Sequence, residues 1–386
     1  MITEIPRSEF LDRIKQIQKI IAGRGLDALL TTGTEAEPQF VRYLSDYWPA
    51  FEAAGVLVPV EGEPILLIGP ESLTYAQSRT RIEKIRQILE YRESAEPDYP
   101  GKQLDSFKSV FDEVSGGKGI KRLGTVGYPV TNAPIYEGIR VAMAGGEIVR
   151  SDDILIDMRK VKSENELALM RKAFHISEKA MEAVLEGIRP GMTETQVVGI
   201  AQAKMYELGA EYEGHPLYVL SGRNSANAIG RPTPKKLVEG EIIQLNVGAR
   251  VAGYSSSVGR PVVLGHISDE IRKFLQMGLD AANKTMEIMH AGVSARDVAL
   301  TVQDFIAQRG YGDCILYGPC HGIGLVECEH PWMETNSDYL LQENYTFQVD
   351  SFLYTPKYGA RWEDGVRVTP TGVEQFSNYR REIIVI

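Results

Sequence analysis

The stretch YTFQVDSFLYTPKYGARWEDGVRVTPTG, residues 345–372, alternates polar and apolar side chains on both sides of Pro356-Lys357. Alternation with period two, interrupted by turn residues, reads as an antiparallel hairpin. Centring that hairpin on Pro356-Lys357 makes Asp350 and Glu363 face each other across the two strands. Asp350 interrupts FQVDSFLY, whose other members read as core, so the pairing brings a carboxylate into apolar surroundings.

An earlier stretch repeats the device. EIIQLNVGARVAGYSSSVGRPVVLG, residues 241–265, reads as two β-rich strands broken near Val251-Ala252-Gly253, which makes Asn246 and Ser257 cross-strand neighbours. Gly248 and Gly253 weaken these strands, as happens near a bulge or a close ligand approach. Between the hairpins lies YGPCHGIGLVECEHPW, residues 317–332, where His321 precedes Gly322-Ile323-Gly324 in a tightly specified turn.

The rest of the chain divides at the same level of reading. Its 386 residues predict two domains, each able to bury a core. The first half alternates helix and strand patterns: FLDRIKQIQKII with Ser8 as N-cap, the strand LDALLTT, and GVLVPV joined to PILLIG through a hairpin at Glu61-Gly62-Glu63. Helices follow at SFKSVFDEV and IYEGIRVAMA, and GGKGIKR lacks the third glycine of a dinucleotide fingerprint. From Met158 the residues to Ile188 predict one long amphipathic helix, with a capping box at Ser163 and Glu166. We place the boundary between Asp157 and Ser163, giving an α/β domain over 1–157 and an α+β domain over 158–386; all six histidines and three cysteines fall in the second.

A net charge of −10 disfavours nucleic acid and anionic membrane as partners. Three cysteines, the absence of a signal-peptide pattern at the start and apolar runs too short to span a bilayer predict a reduced, cytoplasmic protein. Cys314, Cys320, Cys328 and His330 gather near His321, but their spacings match no common zinc motif.

Taken in order, RIKQIQKIIAGRGLDALL, RKVKSENELALMRKA, IRPGMTE, SGRNSA, LNVGARVAGYSSSVGR, HGIGL and RWEDGV resemble the creatinase/prolidase (aminopeptidase P-like) family of pita-bread hydrolases. The resemblance implies a creatinase-type N-terminal domain, a pita-bread catalytic domain and a homodimer. In metallopeptidase members two Asp, one His and two Glu hold two divalent ions, and the matching positions here are Asn246, Ser257, His321, Asp350 and Glu363. With both hairpin aspartates replaced by neutral side chains, the pattern is similar to that of the metal-free creatinase type, and no cofactor is expected. The base histidine of creatinase would fall at Ile229, and Cys328 stands where many relatives carry a second His.

Without metal, two facing carboxylates share a proton or recruit a cation. The expected reaction is hydrolysis of a C–N bond in a small cationic or zwitterionic substrate, with His321, Asp350 and Glu363 catalytic. Asn246, Ser257, His215, Arg361 and Cys328 would contact the substrate, with Arg260 a further carboxylate holder and His215 a substitute base. One alternative is a mononuclear Xaa-Pro dipeptidase or aminopeptidase holding Mn, Co or Zn on His321, Asp350 and Glu363. Another is a binding protein on the same fold, without catalysis.

Overall fold

The computed structural model describes residues 3–386, and its contacts separate a unit of Ile5–Met158 from a unit of Arg159–Ile386. In the first unit a six-stranded mixed sheet runs in the order Lys84–Gln87, Ile65–Ile68, Ala54–Pro59, Ala28–Gly33, Arg122–Val126, Glu147–Arg150. The strands of the Glu61-Gly62-Glu63 hairpin pair antiparallel as read. Phe107–Ser115 and Ala133–Ala142 bury Phe107, Val110, Phe111, Ile135 and Ile139 against Leu30, Leu57, Leu67 and Leu123. The first helix starts two residues earlier than the capping pattern suggests. It spans Arg7–Gly23 after Pro6, so Ser8 sits in its first turn and caps nothing.

The stretch 158–188 is two helices. Asp152–Lys160 ends, Val161 and Lys162 leave the helix, and Glu164–Gly187 begins behind Ser163. Ser163 takes extended φ/ψ and exchanges both capping-box bonds with Glu166, which a residue inside a continuous helix could not do.

A nine-stranded sheet organises the second unit. Its main path is Glu329–Met333, Cys320–Gly322, Thr346–Tyr354, Gly359–Val368, Val258–Val263, Ile242–Val247, Tyr218–Ser221. The later hairpin has the register read from sequence, with Asp350 opposite Glu363. Helices Asp269–Ile288 and Ala295–Ala307 cover its apolar face, where Phe347, Val349, Leu353, Trp362 and Val366 are buried and Trp362 Nε1 donates to the Leu275 carbonyl at 2.9 Å. Alternation then turns Gln348, Asp350, Arg361 and Glu363 to the other face.

The earlier hairpin is shifted from the sequence reading. Asn246 pairs with Gly259, and Val251 pairs with Tyr254, because Ala252 (φ +46°) and Gly253 (φ +93°) form the left-handed two-residue turn. Ser257 therefore lies two residues short of the place opposite Asn246. Arg260 also departs from its expected role. It is fully buried, donates to Asp364 Oδ1 at 2.8 Å and to the carbonyls of Gly259, Glu363, Tyr379 and Arg380, and has no free face for a substrate.

Among the described residues no helix is long and apolar enough to cross a membrane. Removing one partner of a buried ion pair leaves the other charge uncompensated, which costs about 3–5 kcal/mol. Arg260→Ala is expected to lower stability by that amount in urea denaturation, with Asp364→Asn milder; an Arg260→Ala loss below about 1 kcal/mol would contradict this account.

Candidate active site

Glu363 is buried on the polar face, with 2% of its surface exposed. Asn246 Nδ2 and Ser257 Oγ both donate to its Oε2, the latter at 2.7 Å. Burial works to raise this carboxyl, but Arg361, His215, His321 and the Ser257 hydrogen bond outweigh it and hold Glu363 below its usual value. Asn246 and Ser257 are thus both donors to a carboxylate. Their convergence depends on Gly259, since a Cβ there would stand 2.5 Å from Glu363 Cβ and 2.6 Å from Asn246 Nδ2.

Asp350 faces the same pocket but turns to a different neighbour. Tyr317 donates to its Oδ2 at 2.6 Å, and Arg361 Nε lies 3.2 Å from its Oδ1. Arg361 in turn donates to Tyr317 Oη and to the Ala228 carbonyl, with its guanidinium over the rings of Tyr218 and Phe352. Burial raises the Asp350 carboxyl above its usual value despite Arg361, and burial together with Asp350 pushes the Tyr317 phenol well up.

The third carboxylate is one that the sequence reading passed over. Glu327 lies with Oε1 3.5 Å from His321 Nε2, and ligand atoms of His321, Glu327 and Glu363 all fall within 4.8 Å of one another. This is the one such His/Cys/Asp/Glu group among the described residues. Burial and the neighbouring Glu363 charge push the Glu327 carboxyl well above its ordinary range. His321 Nδ1 faces the Gly322 carbonyl at 3.0 Å, which directs Nε2 into the cluster. Burial opposes charging of this imidazole, but a hydrogen bond with Cys328 and the charges of Asp350 and Glu363 bring it to about 9. The loop carrying Glu327 is fixed at its far end by Glu329, buried between Arg159 and Lys162.

The remaining candidates separate. His215 joins the site through Ser257, at 2.9 Å. Cys328 is exposed and reaches the site only through His321. Ile229 is 87% exposed. Cys314, Cys320, Cys328 and His330 form no cluster able to hold a metal. Glu327 had one sequence signal, an acidic residue two positions before Glu329 in an irregular segment, and Tyr317 had none.

The geometry of one histidine and two glutamates at the edge of a buried hairpin agrees with the comparisons to known proteins. The model of metallopeptidase family M24 matches residues 168–370, and that of the creatinase/prolidase N-terminal domain matches 13–161. The chain belongs to metallopeptidase family M24. A Xaa-Pro dipeptidase of Pyrococcus horikoshii is 27% identical over 97% of this chain and 99% of its own length. The X-Pro aminopeptidase structure from Thermotoga maritima superposes with a TM-score of 0.85, at 26% identity, over 97% of this chain and 99% of that one. Prolidase from Pyrococcus horikoshii, 24% identical, gives a TM-score of 0.83 over 97% of this chain and 100% of its own and shows the same fold. This M24 chain therefore has a creatinase-type domain followed by a pita-bread domain, and it is a C–N bond hydrolase of the creatinase/Xaa-Pro peptidase type.

Membership in M24 overturns the expectation that no cofactor is needed. That expectation rested on Asn246 and Ser257 alone, whereas a metallopeptidase family match and the His321, Glu327, Glu363 cluster both point to a metal. Asp350 is engaged by Tyr317 and Arg361, and the carboxylates grouped with His321 are those of Glu327 and Glu363.

Gly259→Ala is expected to push Glu363 away from Asn246, with a loss of about 1–3 kcal/mol from overpacking. Thermal unfolding and activity of the variant check this, and a fully active, equally stable Gly259→Ala would refute the close-approach argument.

Proposed function

We propose that this M24 chain hydrolyses small zwitterionic peptides of the Xaa-Pro type with one divalent cation held by His321, Glu327 and Glu363. The observation that carries the reading is the convergence of these three donors within 4.8 Å in a metallopeptidase fold. One imidazole and two carboxylates suit Mn, Co or Zn. Asn246 Oδ1, buried and without a hydrogen-bond partner, adds a neutral oxygen of the kind such ions also take.

Charge counting favours a single ion. Metal binding takes its ligands deprotonated, and with Glu327, Asp350 and Glu363 ionised against Arg361 the pocket carries an excess of negative charge that one dication offsets. A second ion would need further anions, and Asn246 and Ser257 supply none. When bound, such an ion supplies an activated water and polarises the scissile carbonyl.

This chain's own side chains do the rest. Arg361, held over Tyr218 and Phe352, receives the substrate carboxylate, and Asp350, paired with Arg361 and Tyr317, keeps the guanidinium in place. Clamping Glu363 by two donors fixes the carboxylate before substrate arrives, which removes reorganisation from the reaction.

Metal analysis of protein purified without chelator should find close to one equivalent, and Xaa-Pro dipeptides should be cleaved in a chelator-sensitive way. Glu327→Gln should weaken ion binding and lower kcat/KM by a factor on the order of 10–100 or more. Asp350→Asn should leave ion affinity nearly unchanged and raise KM instead. Wild-type ion affinity in Glu327→Gln would overturn the ligand assignment.

A further inference from the structure

We propose that His215 is a positioning residue of this site, one that fixes Glu363 by fixing Ser257; the functional consequence rests on the metallopeptidase reading above. His215 follows the short strand Tyr212–Glu213 and lies outside the donor cluster. Its imidazole is seated over Gly248, where a Cβ would come 2.7 Å from Cδ2 and 2.8 Å from Nε2. Nδ1 donates to the Pro216 carbonyl at 2.7 Å, and the Tyr218 ring meets the imidazole edge-on at 5.5 Å between centroids. With one nitrogen engaged and the ring plane fixed, Nε2 points at Ser257 Oγ, 2.9 Å away.

Ser257 is the relay. It is completely buried, and its backbone carbonyl accepts from Gln348 Nε2 at 2.7 Å. Its side chain nevertheless remains a single-bond rotor with three staggered positions. Ser257 has a single hydroxyl proton, given to Glu363 Oε2 at 2.7 Å, so His215 meets Oγ as a donor through Nε2–H with both ring nitrogens protonated, and this contact selects the rotamer. A three-link chain thus runs from Pro216 through His215 and Ser257 to the carboxylate. Both ring nitrogens of His215 are occupied within this chain, so the residue has no free atom for a substrate or for the base role expected from sequence.

Hydrogen bonds that orient a metal-ligating side chain are worth about 10–100-fold in ion affinity or activity. His215→Phe keeps a ring over Gly248 and removes the bond to Ser257, while His215→Gln restores a polar group facing it. Isothermal titration with Mn²⁺ should show affinity lowered about tenfold or more in His215→Phe and recovered to within about threefold of wild type in His215→Gln, by the same outer-sphere rule. The ion-free unfolding temperatures should stay close together. Ser257→Ala should weaken binding by a similar factor, and adding His215→Phe to it should cost nothing more, because the two act in one chain. Wild-type Mn²⁺ affinity in His215→Phe, or additive losses in the double variant, would overturn the proposal.

A second readout needs no metal. Long-range ¹H–¹⁵N correlation of the ion-free protein should give a His215 protonated at both nitrogens whose Nε2 resonance moves in Ser257→Ala, and a ring protonated at Nδ1 alone would overturn the chain. An unmoved resonance would overturn the His215–Ser257 link. Failure of the wild-type protein to bind Mn²⁺ while that shift is seen would count against the metal reading alone.

Discussion

A carboxylate buried without compensation cannot persist, and Glu363 is the carboxylate on which the second unit depends. The later hairpin places it opposite Asp350, the glycine at 259 lets a third strand approach it, and Asn246 and Ser257 both donate to one of its oxygens. Its other oxygen is left for the His321 and Glu327 side. Helices covering the apolar face of the same hairpin keep these strands from sliding, because a one-residue slip would exchange Glu363 for Trp362. Packing on one face therefore holds the chemistry on the other.

The pocket has two ends. Asp350 is one methylene shorter than the glutamate that the metallopeptidase pattern carries at this place, and it stays with Tyr317 and Arg361. Glu327, on the turn after His321, restores a second carboxylate to the cluster from another direction. The result is an acidic end able to take a cation and, two residues along the same strand, a guanidinium able to take an anion.

Much of this was legible in the sequence, and the failures have separate physical causes. Strict alternation around Pro356-Lys357 gave the later register, because a long regular hairpin leaves only one way to bury its apolar face. The earlier register was misplaced because Ala252 adopts a left-handed conformation that a non-glycine residue takes rarely. Helix patterning across 158–188 concealed a break that only the extended Ser163 backbone reveals. Glu327 escaped because it lies on an irregular turn where no periodicity assigns a direction to a side chain, and the donation of Asn246 and Ser257 to Glu363 rests on a strand pairing that alternation within one hairpin does not reveal. The block-by-block resemblance located the right segments, but the expected freedom from metal followed from two substitutions considered without Glu327.

The shared acceptor of Asn246 and Ser257 also constrains which substitutions this chain tolerates. An acidic residue at either position would set a new negative charge against Glu363 Oε2, where a proton donor now stands, and would repel it. Either change alone is unfavourable, while both together with a second ion could be accommodated. The two positions are thus coupled through Glu363, so that an acidic side chain at one of them is tolerated only together with added positive charge.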